Sequence, residues 1–201
     1  MPSARLPRRI AQLYAGLVLY GLSSGLILLA GLGNDPWDVL HQGLSRRTGL
    51  GTGVWVCIVG ALVLLLWIPL RQRPGLGTLS NVVVIGVVIQ VALELFDTPG
   101  APAERAALLA AGVVLNGVAT GAYIGARFGP GPRDGLMTGL AARGMSLRAV
   151  RTAIELTVLV AGAALGGTVG IGTVVYALAI GPLAHVFVPA LTVRLPAPQP
   201  A

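Results

Sequence analysis

The sequence predicts an all-α polytopic membrane helix bundle: six transmembrane helices arranged as two inverted three-helix repeats, each with an extra short helix. Its composition, its apolar segments and an internal repeat predict this fold. Hydrophobic residues make up 55% of the 201 residues, charged residues only 10%, and the mean hydropathy is +0.82. A soluble chain usually carries about 25% charged residues. Because so few charges cannot cover a globule in water, we expect an integral membrane protein.

Six segments are apolar and long enough to cross about 30 Å of hydrocarbon as helices. Breaks rich in proline, glycine and aspartate separate them, such as Asn34-Asp35-Pro36 and Gly129-Pro130-Gly131-Pro132. The predicted spans are 11–32, 53–70, 77–96, 106–127, 150–167 and 172–193. The predicted organisation is a cytoplasmic N-terminal segment at 1–10, a first repeat at 11–96, a second repeat at 106–193 and a disordered Pro-rich tail at 194–201.

The distribution of arginine predicts the orientation in the membrane. All 14 basic residues are arginines. An N-terminus on the cytoplasmic side places 11 of them inside and leaves Arg46, Arg47 and Arg105 outside, which follows the general positive-inside bias. Six spans then return the C-terminus to the same side, so both termini are expected to be cytoplasmic.

The two halves of the chain are copies of each other. Residues 16–47 align with residues 112–143 at 13 identical positions, which share the pattern G-x-x-P-x-D-x-L-x-x-G-L. Each copy holds three predicted spans, an odd number, so the second copy enters the membrane from the opposite face. Many secondary transporters are inverted repeats of this kind, with a substrate site near the midplane between them.

Each repeat also holds a short helix, predicted at 36–47 and 132–143. Both begin with proline, after Asp35 or glycine as the capping residue. At 1.5 Å per residue such a helix is about 18 Å long, too short to span. Such a helix either lies in the membrane interface or enters the membrane as a re-entrant helix. The repeated Asp38 and Asp134 either accept hydrogen bonds from the first turn or face a shared cavity.

Polar residues within the predicted spans are costly in lipid and usually face the bundle interior. The repeat pairs Tyr20 with Asn116 and Gln90 with His185. Each is either an interhelical hydrogen-bonding residue or a substrate-lining one. His41, on the first short helix, either contacts a ligand or is solvated. The candidate substrate-binding residues are therefore Asp38, Asp134, Gln90, His185, Asn116 and Tyr20.

Other patterns predict helix packing. Small-residue faces at Gly21-x-x-x-Gly25 and Gly117-x-x-x-Gly121 predict that the first and fourth spans cross closely. The spacing of Arg151 and Glu155 predicts an i,i+4 ion pair. Three tryptophans are expected at the membrane interfaces: Trp37, Trp55 and Trp67.

Several chemistries have no sequence support. The chain holds one cysteine and two distant histidines, and it has no phosphate loop, H-E-x-x-H or G-x-S-x-G motif. We therefore expect a protein that is not an enzyme, with no cofactor and no metal site. Topology explains the arginines, so no nucleic acid is expected as a partner.

Three segments resemble the YczE/YyaS/YitT family of bacterial membrane proteins. They are Gly33-Asn34-Asp35-Pro36-Trp37-Asp38-Val39-Leu40 with Gly43-Leu44-Ser45, Gly75-Leu76-Gly77-Thr78, and Gly129-Pro130-Gly131-Pro132-Arg133-Asp134-Gly135-Leu136-Met137. The resemblance implies a multi-span plasma-membrane protein whose molecular activity is generally not assigned, and it supplies no catalytic residues. The chain ends soon after the sixth predicted span, so the soluble C-terminal domain of YitT-type members is not expected.

Two functions remain open at this point. The first is a small-solute permease, as a monomer or a homodimer, with a cavity between the repeats and an unidentified substrate. The second is a non-catalytic scaffold or accessory protein that regulates a membrane partner. The lipid bilayer is the partner common to both.

Overall fold

The computed structural model describes residues 5–194 and is entirely helical over that range. Glycine and proline punctuate the chain between the apolar runs, and the helices begin and end at these residues. The eight helices are α1 (Leu6–Ala30), α2 (Pro36–Thr48), α3 (Thr52–Leu70), α4 (Leu76–Leu95), α5 (Pro102–Gly125), α6 (Pro132–Ala141), α7 (Leu147–Ala164) and α8 (Ile171–Leu191).

Five helices, rather than the expected six, are long and apolar enough to cross a membrane: α1, α3, α4, α5 and α8. The remaining predicted span, α7, carries the charged residues Arg148, Arg151 and Glu155 near its start. The outer faces of α3, α4 and α8 expose large aliphatic side chains, for example Ile68, Leu95 and Leu178. A continuous apolar exterior of this kind is what a lipid-facing helix bundle presents.

Both predicted short helices are present, as α2 and α6. The Asp35 carboxylate caps α2, accepting hydrogen bonds from the backbone N–H groups of Trp37 at 2.9 Å and Asp38 at 3.2 Å. Gly131 is the capping residue of α6, which ends at Ala141, two residues earlier than predicted. The predicted segment 1–10 overlaps α1, and the predicted tail lies outside the described residues apart from Arg194.

The longest helices, α1 and α5, pack against each other in antiparallel fashion at the centre of the bundle. Near the start of α1, Arg9 donates to the carbonyls of Ala126 and Arg127, at 3.0 Å each, just past the end of α5. Near the start of α5, Arg105 donates to the carbonyls of Ala30 and Gly31, at 2.7 and 2.9 Å, at the end of α1. Each cation therefore satisfies the unpaired carbonyls, and the negative end, of the other helix.

The predicted crossing of the first and fourth spans is confirmed, but the predicted glycines do not form it. A Cβ at Gly21 would lie 2.6 Å from the side chain of Val88 on α4, and one at Gly117 would lie 2.6 Å from Leu183 on α8. The crossing of α1 with α5 instead uses Gly16, which faces the backbone of Tyr123, and Gly112, which faces Ile27. A small-residue face predicts that another helix comes close, but it does not identify that helix.

Contacts between the two halves are reciprocal. Gly33 packs against Gly170 and Thr173, while its repeat counterpart Gly129 packs against Gly75 and Thr78. The N–H of Gly77 donates to the Phe128 carbonyl at 2.9 Å, and that of Gly172 donates to the Leu32 carbonyl at 2.8 Å. Matched residues of the two halves therefore make matched contacts with the opposite half.

The approximate symmetry breaks at one helix pair. In the first half, α3 packs along α4, and a Cβ at Gly86 would lie 2.4 Å from the Sγ of Cys57 and 2.6 Å from the Gly53 carbonyl. In the second half, α7 packs on α2 and α6 and is hardly in contact with α8. The glycine that corresponds to Gly86 is Gly181, and it faces open space. The first half therefore has its helices α3 and α4 packed together, whereas the corresponding helices of the second half, α7 and α8, are separated.

Two of the three tryptophans are buried inside the bundle, and the interfacial depth of all three stays a prediction. Trp67 is 2% exposed and donates from Nε1 to the Pro132 carbonyl at 3.0 Å. Its ring fills the space beside Gly135, where a Cβ would overlap it. Trp37 is 6% exposed. The Trp55 ring is half-buried and donates to Thr48 at 2.8 Å.

Candidate functional site

A cavity of about 220 Å³ lies between the two halves and receives side chains from all eight helices. Most of its wall is aliphatic, from residues such as Val63 and Ile85. Concave, largely apolar sites with a few convergent polar groups are the usual form of small-molecule binding sites. The aromatic, polar and charged residues of the wall are Tyr20, Trp37, His41, Asn81, Thr120, Tyr123, Arg133, Asp134, Arg151 and Tyr176.

Asp134 lies in the wall of this cavity and is not the cap of α6. Its Oδ2 accepts a hydrogen bond from the hydroxyl of Tyr123 on α5 at 3.0 Å. The carboxylate is exposed, and Gly131 occupies the capping position. Asp134 was expected either to accept hydrogen bonds from the first turn of its helix or to face a shared cavity, and its side chain faces the cavity.

Asp38, its counterpart, is buried beneath the wall. Its Oδ1 is 3.0 Å from Nδ1 of His41, one turn later on α2. His41 is 1% exposed and itself lines the cavity, so the solvated alternative for this histidine is wrong. The two aspartates of the repeated motif therefore occupy different environments.

Arg133 connects the two short helices across the interface between the halves. Its guanidinium nitrogens lie 3.6 Å from the Oδ1 of Asp35 and 3.8 Å from the Oδ1 of Asp38. Its Cζ lies 4.9 Å from the centroid of the Trp37 ring, in a cation–π position. Both ion-pair distances exceed hydrogen-bond length, so these carboxylates compensate the charge of Arg133 without taking up its donors.

Burial sets the protonation of the groups on α2. Burial, with the neighbouring Asp38 charge, raises the pKa of Asp35 to about 7, even though Arg133 lowers it. Burial and the positive charge of Arg133 lower the pKa of His41 to about 3. A neutral His41 has one ring N–H, and the 3.0 Å contact places that proton on Nδ1, donated to Asp38. The imidazole thus stabilises the carboxylate without adding charge.

Tyr20 and Asn116, which the repeat pairs, have separate partners inside the bundle. Asn116 is fully buried and donates from Nδ2 to the Oγ of Ser23 at 2.8 Å, while its Oδ1 accepts from the Tyr176 hydroxyl at 3.0 Å. Tyr20 lines the cavity, and its ring meets that of Tyr123 edge to face at 5.9 Å. Asn116 is therefore an interhelical hydrogen-bonding residue that holds the Tyr176 side chain of the cavity wall.

Gln90 and His185 lie away from the cavity. The Gln90 amide accepts from the Gly53 N–H at 3.1 Å and donates to Glu94 at 2.7 Å, at the contact of α3 with α4. His185 is exposed on the outside of α8. The structure thus brings Tyr20 and Asp134 together in the cavity wall, with Asp38 and Asn116 behind that wall. Gln90 and His185 are not part of this group.

Sequence reasoning missed the partners that the motif residues acquire. No sequence pattern pointed to Arg133 or Tyr123, although Arg133 sits between the repeated Pro132 and Asp134.

The Nε1 of Trp37 is buried and has no hydrogen-bond partner within the described residues. The predicted pair of Arg151 with Glu155 is present at 2.9 Å. Residues 5–194 contain no group of three His, Cys, Asp or Glu side chains that could hold a metal ion.

Comparison with known proteins agrees with the resemblance noted in the motifs. The chain is 38% identical to an uncharacterized protein of Haemophilus influenzae, over 94% of this chain and 87% of the relative. It is 34% identical to the uncharacterized membrane protein YczE of Bacillus subtilis, over 84% of this chain and 80% of the relative. It is 30% identical to the uncharacterized protein YyaS of the same organism, over 87% and 89%. No solved structure matches the chain.

These relatives confirm the similarity to YczE and YyaS and support a membrane location. The profile of a family of unknown function, DUF6198, matches residues 7–189, which include every helix that contributes to the cavity. The chain therefore belongs to the DUF6198 family.

Proposed function

We propose that the chain is a small-solute permease whose two halves are inverted repeats in the membrane, with the cavity between them as the solute site. The antiparallel arrangement of α1 and α5 supports the inversion, because these are the first helices of the two repeats. The reciprocal contacts of Gly33 and Gly129 support the two-fold relation. Transporters with inverted repeats hold their substrates at such an interface.

The observation that carries the proposal is the difference between the two halves around one cavity. On the first half the wall is closed by α3 against Gly86 of α4; on the second half Gly181 of α8 is uncovered. Because Gly86 and Gly181 are matched residues of the repeat, we propose that the second half can also close, with α7 moving onto the uncovered face of α8. Exchanging the closed and the open packing moves the cavity opening to the other side of the membrane, which is alternating access.

The proposal includes α7 as a sixth crossing, with both termini in the cytoplasm of a bacterium. Arg148 and Arg151 lie in the first two turns of α7, where long side chains can extend to lipid headgroups. Glu155 is paired with Arg151 at 2.9 Å, which lowers the cost of its charge at greater depth. The permease acts alone or as a homodimer; no cofactor or catalytic role is part of the proposal.

Flux into proteoliposomes tests this function. Purified protein is reconstituted, and uptake of a panel of small solutes is compared for the wild type, Asp134→Asn and Asp38→Asn. Both variants keep side-chain size, and we expect each to reduce uptake at least tenfold. The thermal unfolding midpoint should change little in Asp134→Asn, whose side chain is exposed, and should fall in Asp38→Asn, whose buried carboxylate faces Arg133. His185→Gln, on the exposed outer face of α8, is the matched control and retains uptake.

The same experiment can contradict the proposal. Equal uptake by the wild type and both aspartate variants would separate any transport from this cavity. Absence of uptake across the whole panel, together with a stoichiometric membrane protein that co-purifies, would favour the alternative of a scaffold or accessory subunit.

A further inference from the structure

We propose that the cavity binds a small organic cation with a single ammonium group, oriented towards Asp134. This inference rests on the proposed function, since it names the class of solute that the permease would carry. It follows from the charges around the cavity, the environment of Asp134, and the size and polar groups of the wall.

The charges that surround the cavity do not balance. Asp35 and Asp38 share the guanidinium of Arg133, and Asp134 lies in the same wall as Arg133 and Arg151. Arg151 is paired with its own carboxylate, Glu155, at 2.9 Å. Because burial raises the pKa of Asp35 to about 7, this carboxyl is ionised for about half of the time at neutral pH, and between one and two negative charges are in excess. The N-termini of α2 and α6 each contribute roughly half a positive charge, which leaves up to about one negative charge for a ligand to neutralise.

That excess is located at Asp134. Asp35 and Asp38 share Arg133, whereas Asp134 has a neutral partner, the hydroxyl of Tyr123 at 3.0 Å. A hydroxyl donor stabilises a carboxylate but does not neutralise it. The side chain is exposed to the cavity rather than buried, so a ligand can reach it directly.

The wall beside Asp134 suits an alkylammonium. The rings of Tyr20 and Tyr123 meet edge to face with centroids 5.9 Å apart, and Tyr176 stands in the same wall. Aromatic faces attract cations through their quadrupole and also accommodate methyl and methylene groups. The aliphatic remainder of the wall gives the hydrocarbon part of such a solute a dry surface.

An anionic solute fits the same wall poorly. Arg133 is its strongest attraction for an anion, yet this guanidinium is the cation that faces the buried Asp35 and Asp38. Drawing it towards a ligand would leave the buried carboxylate of Asp38 without compensation.

The size of the cavity also limits the solute. A volume of about 220 Å³ holds about seven waters at roughly 30 Å³ each, which limits the solute to a comparable number of non-hydrogen atoms.

Three probes of nearly the same shape test the charge of the ligand: tert-butylammonium, tert-butanol and pivalate. Each is added to the purified full chain in detergent at constant ionic strength, and the thermal unfolding midpoint is recorded. We expect tert-butylammonium alone to raise the midpoint, by about 3–6 °C when its concentration is tenfold above its Kd. Asp134→Asn should lose this rise, while Tyr123→Phe, which removes the hydroxyl but keeps the charge, should retain it.

The outcomes separate this inference from the proposed function. A larger rise with pivalate, equal rises with all three probes, no rise with any probe, or a rise that persists in Asp134→Asn would each overturn the assignment of a cation. Selective stabilisation by tert-butylammonium without flux of any cation in proteoliposomes would keep the binding site and reject the permease.

Discussion

His41 illustrates how position within the fold decides the chemistry of a single residue. From the sequence, a histidine on a short polar helix is expected either to contact a ligand or to be solvated. In the fold it is enclosed, with Asp38 on its own helix and Arg133 from the other half nearby. The repeated motif singled out Asp38 of this cluster, but not its contact with Arg133, because the arginine lies 95 residues beyond Asp38 in the chain.

The pH dependence of stability tests the state of His41. Its pKa is lowered to about 3 in the folded protein and is about 6.5 when unfolded, so between these values the unfolded chain binds more protons. Stability from a neutral His41 is therefore present above pH 6.5 and is lost as the pH falls towards 3. His41→Gln keeps a donor for Asp38 but cannot titrate.

We expect the free energy of unfolding of the wild type, relative to His41→Gln, to fall by about 1.4 kcal/mol per pH unit between pH 6 and pH 4. Chemical denaturation in detergent micelles measures it. Asp35 titrates in both proteins, so its contribution cancels in the difference. Parallel pH profiles for the two proteins would show that His41 is not held neutral.

Helix positions were largely predictable from the sequence, whereas helix neighbours were not. Apolar length and proline–glycine breaks locate α1, α3, α4, α5 and α8 to within a few residues, and the motif Asp35-Pro36 locates the start of α2. The glycine faces of α1 and α5 were assigned to the wrong partners, because glycine spacing indicates only that some backbone comes close. For α7, charged residues within an apolar segment blur the distinction between a span and a surface helix.

Two glycine-to-alanine substitutions test the packing of these helices. A Cβ at Gly16 would lie 2.7 Å from the backbone nitrogen of Tyr123, at the crossing of α1 and α5, whereas one at Gly181 meets nothing within 4 Å. Alanine favours both helices intrinsically by a similar amount, up to about 1 kcal/mol, so their difference reports packing. We expect Gly16→Ala to lower the free energy of unfolding by about 1–3 kcal/mol and Gly181→Ala to leave it unchanged or raise it.

Unfolding of the two variants in detergent by the same denaturant provides the comparison. Equal effects at the two positions would mean that α1 and α5 do not approach as closely as the structure has them.

At the scale of the whole molecule, the repeat predicted a relation between two halves, and the reciprocal contacts agree with it. Arg9 and Arg105 occupy equivalent positions and cap each other's helices. The glycines at the site of the asymmetry are matched, since Gly86 corresponds to Gly181. The helices beside them are not, because α7 carries Arg148, Arg151 and Glu155 near its start whereas α3 has no charged residue.

The central claim is that the closed and open packings exchange between the halves, and one distance distribution tests it most directly. Spin labels at Leu147→Cys and Ala190→Cys, in a Cys57→Ser background, lie at exposed positions where α7 begins and α8 ends. Double electron–electron resonance in liposomes should then give two distance populations. The longer distance matches the separated α7 and α8, and the shorter one matches the two helices packed together as α3 and α4 are. One distance that matches the separated helices under all conditions, with or without added solute, would contradict the exchange and with it the proposed pathway through the cavity.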